Sequence, residues 1–172
     1  MNQPEILIVG AGGMGALFGS ILHENGLKVV LYDTNTEHIR AIQQAGLKIE
    51  GYGGDRTIPI AATSNLSELE SAEIIIFQCK SHGTRQAAKA VKPLITQESV
   101  CISFQNGLGN EEVMAEELGE DSVMGGLTAM AGVLLEPGKI RDFSRVPSHI
   151  GELKCGISER AQTIANRLSQ AG

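Results

Sequence analysis

The chain has few aromatic residues and no excess of positive charge. It contains no tryptophan, two tyrosines and four phenylalanines, and its 14 lysines and arginines stand against 20 aspartates and glutamates, a formal net charge of −6. Domains that bind nucleic acid usually carry a basic patch, often with aromatic side chains on which bases stack. We therefore expect no nucleic-acid partner.

Cysteine and long apolar runs are also scarce. No stretch approaches the roughly 20 apolar residues of a membrane-spanning helix, and the N-terminus lacks the basic segment and cleavage site of a secretory signal. Cys79, Cys101 and Cys155 are odd in number and show no Cys-x-x-Cys spacing, so neither a disulfide framework nor a metal site is expected. We predict a cytoplasmic protein without a membrane partner, in which Cys79 and Cys101 lie buried and inert in apolar strands.

Glycine, in contrast, is abundant, and one group of glycines directly follows an apolar strand. Residues 6–15 read Ile-Leu-Ile-Val-Gly-Ala-Gly-Gly-Met-Gly, and an amphipathic helical pattern begins at once. In a dinucleotide-binding turn, Gly10 would permit the tight bend, Gly12 would let the backbone approach a pyrophosphate, and Gly15 would let helix and strand pack closely. The predicted cofactor-binding residues of this turn are Gly10, Ala11, Gly12, Gly13, Met14 and Gly15. The alternative is a glycine-rich turn that binds nothing.

An acidic residue follows the second apolar run, residues 28–32. Asp33 lies 18 residues after Gly15, where a dinucleotide-binding domain places a carboxylate for the adenosine ribose hydroxyls. Such a carboxylate accepts hydrogen bonds from a free 2′-hydroxyl and repels a 2′-phosphate, so Asp33 favours NAD(H) over NADP(H). The alternative is that Asp33, Thr34 and Asn35 only cap the next helix. Both roles are compatible.

Strands and helices alternate along the chain, which predicts an α/β fold of the Rossmann type. This is a doubly wound, mostly parallel sheet with helices on both faces, and its 172 residues are enough for one such domain. Residues 47–50 and 57–61 are predicted to form a hairpin, with Pro59 at an edge. Further predicted elements are strands at 73–79, 100–104, 123–135 and 139–143, a helix at 84–91, a helix N-capped by Asn110, and a helix from Ser158.

Polar residues follow two of the predicted strands. Lys80 comes after the strand at 73–79 and Asn106 after the strand at 100–104, so both should lie on the same sheet edge as the glycine turn. A lysine there can hold a substrate carboxylate or polarise a carbonyl, and an asparagine can orient a nicotinamide ribose or a substrate hydroxyl. Each residue alone could equally be a solvated lysine or an Asn-Gly turn. Their shared position favours a catalytic and cofactor-binding role for Lys80 and Asn106.

Two other polar residues near this edge are weaker candidates. His82 invites a general-base role, but a histidine just past a strand end is more often a solvent-facing residue at a helix start. Thr128, placed in a strand at 126–129, could border the same crevice.

Together these residues resemble the N-terminal half of the ketopantoate reductase (2-dehydropantoate 2-reductase) family. The resemblance rests on Val9 to Gly15, on Lys80 after an apolar strand, on residues 105–110 (Gln-Asn-Gly-Leu-Gly-Asn), and on residues 134–138 (Leu-Leu-Glu-Pro-Gly). It implies hydride transfer from NADPH to the ketone of a 2-oxo acid, which converts ketopantoate to pantoate on the route to pantothenate and coenzyme A. By the match, Lys80 and Asn106 would line the cleft and contact cofactor and substrate.

The chain departs from the family pattern in two respects. The family commonly has a basic or small polar residue where this chain has Asp33, which favours NAD(H) instead. The family also has a second, helical domain that supplies a proton-donating lysine, a substrate-binding carboxylate and most of a homodimer contact. We expect residues 1–172 to form only the dinucleotide-binding domain, with the helical domain absent, and to bind nucleotide weakly and catalyse poorly on their own.

Two alternative functions stay open at this point. One is a related NAD(P)-dependent dehydrogenase acting on another 2-oxo acid or on an opine. The other is a non-catalytic NAD-binding regulatory module, against which the polar pair Lys80 and Asn106 argues, since a sensor needs no such pair near the nicotinamide.

Overall fold

The computed structural model describes residues 3–154 and 156–172, so the expectation for Cys155 lies outside the described residues. Of the helices it describes, none is both long and apolar enough to cross a membrane. In chain order the helices and strands are β1 (Ile6–Val9), α1 (Gly13–Glu24), β2 (Val29–Tyr32), α2 (Thr36–Ala45), β3 (Leu47–Gly51), β4 (Arg56–Ile58), β5 (Ala61–Thr63), β6 (Ile74–Phe77), α3 (Thr84–Val91), β7 (Val100–Ser103), α4 (Asn110–Leu118), β8 (Val123–Leu127), β9 (Ala131–Glu136), β10 (Lys139–Ser144), β11 (His149–Glu152) and α5 (Glu159–Gln170).

The main sheet has the strand order β11-β8-β7-β6-β1-β2-β5. All neighbouring strands are parallel except β11, which pairs antiparallel with β8. The chain runs outward from central β1 through β2 to β5 and then returns to β6 on the other side of β1. This reversal is the switch point of a doubly wound sheet, and the predicted fold class is confirmed. The switch point lies between the carboxyl ends of β1 and β6.

Alternating side chains of the buried strands form two apolar layers. Ile6 and Ile8 of β1 face the layer that contains α1, α2 and α5. Leu7 and Val9 face the layer that contains α3 and α4. Because all four side chains are at most 1% exposed, each burial stabilises the fold by about 1.5–3 kcal/mol. Helices therefore cover both faces, as predicted.

A second, smaller sheet packs against α1 and α2, and the sequence did not predict it. Its order is β4-β3-β10-β9, with β3 and β10 parallel and the other pairs antiparallel. Its apolar side chains Leu47, Ile49 and Ile140 join the same layer as α1. Strands β3 and β4 form the predicted hairpin, whose register pairs Leu47 with Ile58.

Two predicted strands are wrong because each divides between the two sheets. Residues 57–61 break around Pro59, which has no N–H to donate: β4 belongs to the second sheet and β5 to the main sheet, each at an edge. Residues 123–135 break at 128–130, with β8 in the main sheet and β9 in the second. The apolar pattern runs through both breaks because each piece is itself a strand. The turn predicted at 136–138 is present between β9 and β10, and Ser158 caps α5 by accepting from the Ala161 N–H.

Candidate active site at the switch point

The glycine turn lies at the switch point, and two of its glycines are required by packing. Gly10 adopts a φ of 97°, and a Cβ atom there would lie 2.5 Å from the backbone nitrogen of Cys79. A Cβ atom on Gly15 would overlap the Gly10 carbonyl oxygen. Gly10 thus makes the bend against β6 and Gly15 lets α1 start directly over it, the two roles that the motif predicts for them.

Gly12 faces open space instead. A Cβ atom on it would meet nothing within 4 Å, and its φ of −63° suits any residue. In the described part of the chain, the backbone N–H groups of Gly12, Gly13 and Met14 have no acceptor. Free N–H groups at a helix start, next to the positive end of the helix dipole, favour a bound anion. The turn therefore has the geometry of a phosphate cradle that opens at Gly12.

Gly13 and Met14 also contact the second sheet. A Cβ atom on Gly13 would lie 2.5 Å from the Cα of Val133, and the Gly132 N–H donates to the Met14 sulfur at 3.1 Å. Strand β9 thus crosses directly over the first turn of α1. One face of each residue is thus occupied by β9, while their backbone N–H groups have no acceptor among the described residues.

Asp33 follows β2, and one of its two carboxylate oxygens is used within the chain. Its Oδ1 accepts from the Asn35 N–H at 2.9 Å, and the Asn35 side chain in turn caps α2 by accepting from the His38 N–H at 3.1 Å. The second oxygen of Asp33, Oδ2, has no partner among the described residues. The carboxylate is half-buried beside the switch point, and its charge adds to the rise that burial causes in the pKa of the Cys79 thiol. One oxygen therefore stabilises the turn and the other is free to accept from a ligand.

Lys80 and Asn106 lie on adjacent loops, after β6 and β7. The Ser81 hydroxyl donates to the Asn106 carbonyl at 3.0 Å, which joins the two loops. Both residues are exposed, and within the described chain neither the Lys80 ammonium nor the Asn106 carboxamide has a partner. The sheet thus places both side chains on the edge that carries the glycine turn, with their polar groups free.

A buried amide network supports these two loops from below. Gln105 is 8% exposed, and its Nε2 donates to the Cys79 carbonyl and to the Thr84 hydroxyl, both at 2.8 Å. Since Cys79 directly precedes Lys80 and Gln105 directly precedes Asn106, this side chain fixes one loop to the other.

The network continues through Asn110, where the sequence analysis was wrong. Asn110 is not the N-cap of α4; Gly109 holds that position with a left-handed φ of 89°, and Asn110 is the first helical residue. Its buried Oδ1 accepts from the Thr84 hydroxyl at 3.0 Å, and its Nδ2 donates to the Asn106 carbonyl at 3.2 Å. The Asn110 side chain faces inward because the polar groups beneath the loops are shielded from water and need a hydrogen-bond partner, whereas water can satisfy the N–H groups at the start of α4.

The weaker candidates take no part in this arrangement. His82 is exposed in a short 3-10 turn at Ser81–Gly83. Thr128 lies just after β8, and its hydroxyl accepts from the Met130 N–H and from the Ser148 hydroxyl. Cys101 is buried in β7, and burial raises the pKa of its thiol to about 12. Cys79 is only half-buried and lies beyond the end of β6, so its predicted place inside the strand is wrong.

The sequence analysis missed one residue that contacts the glycine turn. His38 of α2 is 1% exposed, and its Nε2 lies 2.8 Å from the Ala11 carbonyl oxygen. A signal was present: His38 lies four residues before Ile42 and so on the apolar face of α2, where a polar side chain needs a buried partner. As a whole, the switch point offers unpaired backbone N–H groups, a free carboxylate oxygen, and a free ammonium and amide on one edge.

Comparison with known proteins identifies the family. The sequence profile described as "Ketopantoate reductase PanE/ApbA" matches residues 6–154, most of the chain. The chain belongs to this family. A 2-dehydropantoate 2-reductase of Lactococcus lactis subsp. lactis is 31% identical over 170 residues, covering 98% of this chain and 54% of its relative. The chain thus spans about half the length of the curated ketopantoate reductases that it matches.

Solved structures of the ketopantoate reductase type confirm the fold. A 2-dehydropantoate 2-reductase from Geobacter metallireducens GS-15 superimposes with a TM-score of 0.88 at 27% identity, covering 96% of this chain and 55% of the other. A D-mandelate dehydrogenase in a ternary structure with NADH and anilino(oxo)acetate superimposes with a TM-score of 0.87 at 26% identity, covering 96% and 54%. The solved structures that resemble this chain therefore include oxidoreductases named after two different substrates.

Proposed function

We propose that this chain forms the dinucleotide-binding domain of a reductase that transfers a hydride from NAD(P)H to the ketone of a 2-oxo acid, with ketopantoate as the substrate. One observation carries the proposal: the free N–H groups of the glycine turn and the free polar groups of Lys80 and Asn106 share one edge at the switch point. A pyrophosphate at the glycine turn and a reacting carbonyl at Lys80 and Asn106 would therefore bind along the same edge. Cytoplasmic location and a homodimer formed mainly through a helical domain are part of the proposal.

The glycine turn would hold the pyrophosphate of the cofactor. The N–H groups of Gly12, Gly13 and Met14 would donate to its oxygens, and the open side of Gly12 leaves room for them. Asp33 Oδ2 would accept from the adenosine ribose hydroxyls, while Oδ1 stays bound to the Asn35 N–H. The residues present therefore fit a dinucleotide, and the carboxylate favours NADH.

Lys80 and Asn106 would act at the reacting end. The Lys80 ammonium attracts the carboxylate of a 2-oxo acid and stabilises negative charge that develops on the ketone oxygen. The Asn106 carboxamide can donate to one group and accept from another, so it would orient the nicotinamide ribose against the substrate. When bound, the reduced nicotinamide supplies the hydride.

A second candidate function is an NADH-dependent reductase of a different 2-oxo acid. Two observations favour it: the free carboxylate oxygen of Asp33 disfavours a 2′-phosphate, and the D-mandelate dehydrogenase neighbour was solved with NADH. The chemistry at Lys80 and Asn106 would be the same, and only the side chain of the substrate would differ.

Initial rates of nicotinamide oxidation by the complete natural protein test these proposals. We expect turnover with ketopantoate that exceeds turnover with phenylglyoxylate, the 2-oxo acid corresponding to mandelate. The reverse order would select the second candidate, and nucleotide binding without turnover of any 2-oxo acid would favour a regulatory module. An Asp33→Ser variant should gain affinity for NADPH relative to NADH. A parent that clearly prefers NADPH would contradict the role assigned to Asp33.

A further inference from the structure

His38 is buried between the glycine turn and the second sheet, and both of its ring nitrogens are used. The Gly138 N–H, in the turn between β9 and β10, donates to Nδ1 at 2.9 Å. Because Nδ1 accepts this bond, the neutral ring carries its proton on Nε2, and Nε2–H donates to the Ala11 carbonyl oxygen at 2.8 Å. The ring is therefore held as a single tautomer that links three parts of the chain.

The bond to Ala11 fixes the direction in which the next N–H group points. The Ala11–Gly12 peptide is planar and trans, so its carbonyl oxygen and its N–H point in opposite directions. With the oxygen held by His38 in the interior, the Gly12 N–H points away from His38, and it has no acceptor among the described residues. A rotated peptide would instead present the carbonyl oxygen, which repels phosphate.

The second sheet holds His38 itself in place. Gly138 has a φ of 78°, and a Cβ atom on it would lie 2.9 Å from the Ala41 Cβ, so the β9–β10 turn rests closely on α2. The same hairpin also contacts the glycine turn directly, where Gly132 meets Gly13. The β9–β10 hairpin thus supports the glycine turn at two points: directly at Gly13, and through the His38 side chain at Ala11.

We propose that His38 is a positioning residue for dinucleotide binding: its Nε2–H holds the Ala11 carbonyl inward and thereby aims the Gly12 N–H at the pyrophosphate. The inference rests on the proposed function, because it assumes that the turn binds a dinucleotide. It goes beyond that function in giving α2 and the second sheet a part in shaping the cradle.

Two substitutions at His38 each remove one of the two hydrogen bonds that its ring makes. In His38→Gln the side-chain amide can reach the position of Nε2 and still donate to Ala11, but the bond from Gly138 is lost. In His38→Asn the shorter side chain can accept from Gly138 at the position of Nδ1, but the bond to Ala11 is lost. Each variant loses one buried hydrogen bond, so each is the matched control of the other.

The experiment measures NADH binding by calorimetry and urea unfolding for the complete natural protein and both variants. We expect similar drops in the unfolding midpoint, a loss of affinity of about tenfold in His38→Asn, and a loss below about threefold in His38→Gln. Equal losses of affinity in the two variants would show a merely structural role and overturn the inference. Absence of NADH binding by the complete natural protein would overturn the proposed function and this inference with it.

A spectroscopic measurement on the unmodified chain covers the case in which the variants do not fold. Long-range ¹⁵N correlation spectra of the imidazole should show His38 protonated at Nε2 only, and NADH should shift the amide signal of Gly12. A His38 ring protonated at Nδ1, or a Gly12 amide that NADH leaves unmoved, would contradict the inference.

Discussion

The glycine turn after β1 and the polar edge after β6 and β7 lie side by side but are built in opposite ways. The turn offers backbone N–H groups, and contacts with Gly10, Gly15 and strand β9 fix its shape. The edge offers the side chains of Lys80 and Asn106, which are exposed and free, and its shape depends on the amide network beneath it.

Because of this difference, stability and ligand binding depend on the same atoms in the turn but on different residues at the edge. In the turn, the atoms that would bind a ligand belong to the same backbone that packs the fold, so most substitutions there change both. At the edge, the atoms that would act on a substrate contribute nothing to packing, and the supporting residues are different ones. The substitutions below test this separation, from the largest expected effect to the smallest.

Gly15→Ala should destabilise the chain the most. Alanine normally favours a helix over glycine by about 1 kcal/mol, but here the new Cβ would overlap the Gly10 carbonyl oxygen, which is backbone and cannot move aside. We expect a loss of about 3 kcal/mol or more in the free energy of unfolding, measured in urea. Gly83→Ala is the control, since a Cβ atom there meets nothing within 4 Å. A stabilised Gly15→Ala variant would show that the turn is not packed as described.

Lys80→Ala should have a large effect on rate and almost none on stability. The ammonium is exposed and unpaired in the described chain, so the free energy of unfolding should stay within about 0.5 kcal/mol of the parent. Turnover of ketopantoate by the complete natural protein should fall about 100-fold, as when one group that stabilises developing charge is removed. Lys92→Ala, at an exposed lysine beyond α3, should change neither quantity. Full activity of Lys80→Ala would remove the polar edge from the mechanism.

Gln105→Ala, in contrast to Lys80→Ala, should lower the stability of the fold. The change leaves the Cys79 carbonyl and the Thr84 hydroxyl without their donor in a buried site, at a cost of about 1–3 kcal/mol. Gln86→Ala, at an exposed glutamine of α3, is the matched control and should cost little. Equal unfolding midpoints for the two variants would mean that the amide network does not hold the edge together.

A smaller effect concerns an ion pair far from the polar edge, at the start of β1. Hydrogen bonds from the Lys28 N–H and from Arg167 lower the pKa of Glu5 from its ordinary value of 4.5. A lowered pKa stabilises the fold above the ordinary value, and this stability is lost as pH falls below 4.5 through the lowered pKa.

Acidification should therefore destabilise the parent more than a Glu5→Gln variant. Because Glu5 is partly exposed, the difference should stay below about 1 kcal/mol. Urea midpoints measured at successive pH values from 7 down to about 3 check this, with Glu98→Gln as the control at an exposed acid. Parallel pH curves for the parent and Glu5→Gln would contradict the assignment.

The parts of this molecule that the sequence predicts are those set by local pattern. Apolar runs predict the strands of the main sheet, and the spacing of Gly10, Gly12 and Gly15 predicts the turn, because each of these signals lies within a few neighbouring residues. The position of Lys80 and Asn106 on one edge follows from the rule that parallel strands end together.

The missed parts depend on contacts between distant segments. His38 meets Gly138 and Gly13 meets Gly132 across about 100 residues or more of chain, and no local pattern marks such a pair. Asn110 looks like a helix cap because its neighbours along the chain are solvated acids, whereas its side-chain oxygen accepts from Thr84 of α3, 26 residues earlier in the chain. The change of sheet within residues 123–135 is hidden for the same reason, since both pieces satisfy the local signature of a strand.

The central claim is that the backbone of the glycine turn binds the pyrophosphate of a dinucleotide, and Gly12→Ala tests it most directly. A Cβ atom at Gly12 meets nothing within 4 Å and the φ of −63° is not left-handed, so the largest effect of the substitution should be on a bound ligand. Calorimetric titration with NADH should show saturable binding by the chain and at least about tenfold weaker binding by Gly12→Ala, while the free energy of unfolding should fall by no more than about 1 kcal/mol, the cost of alanine at an N-cap. Equal affinity of the two proteins would contradict the account.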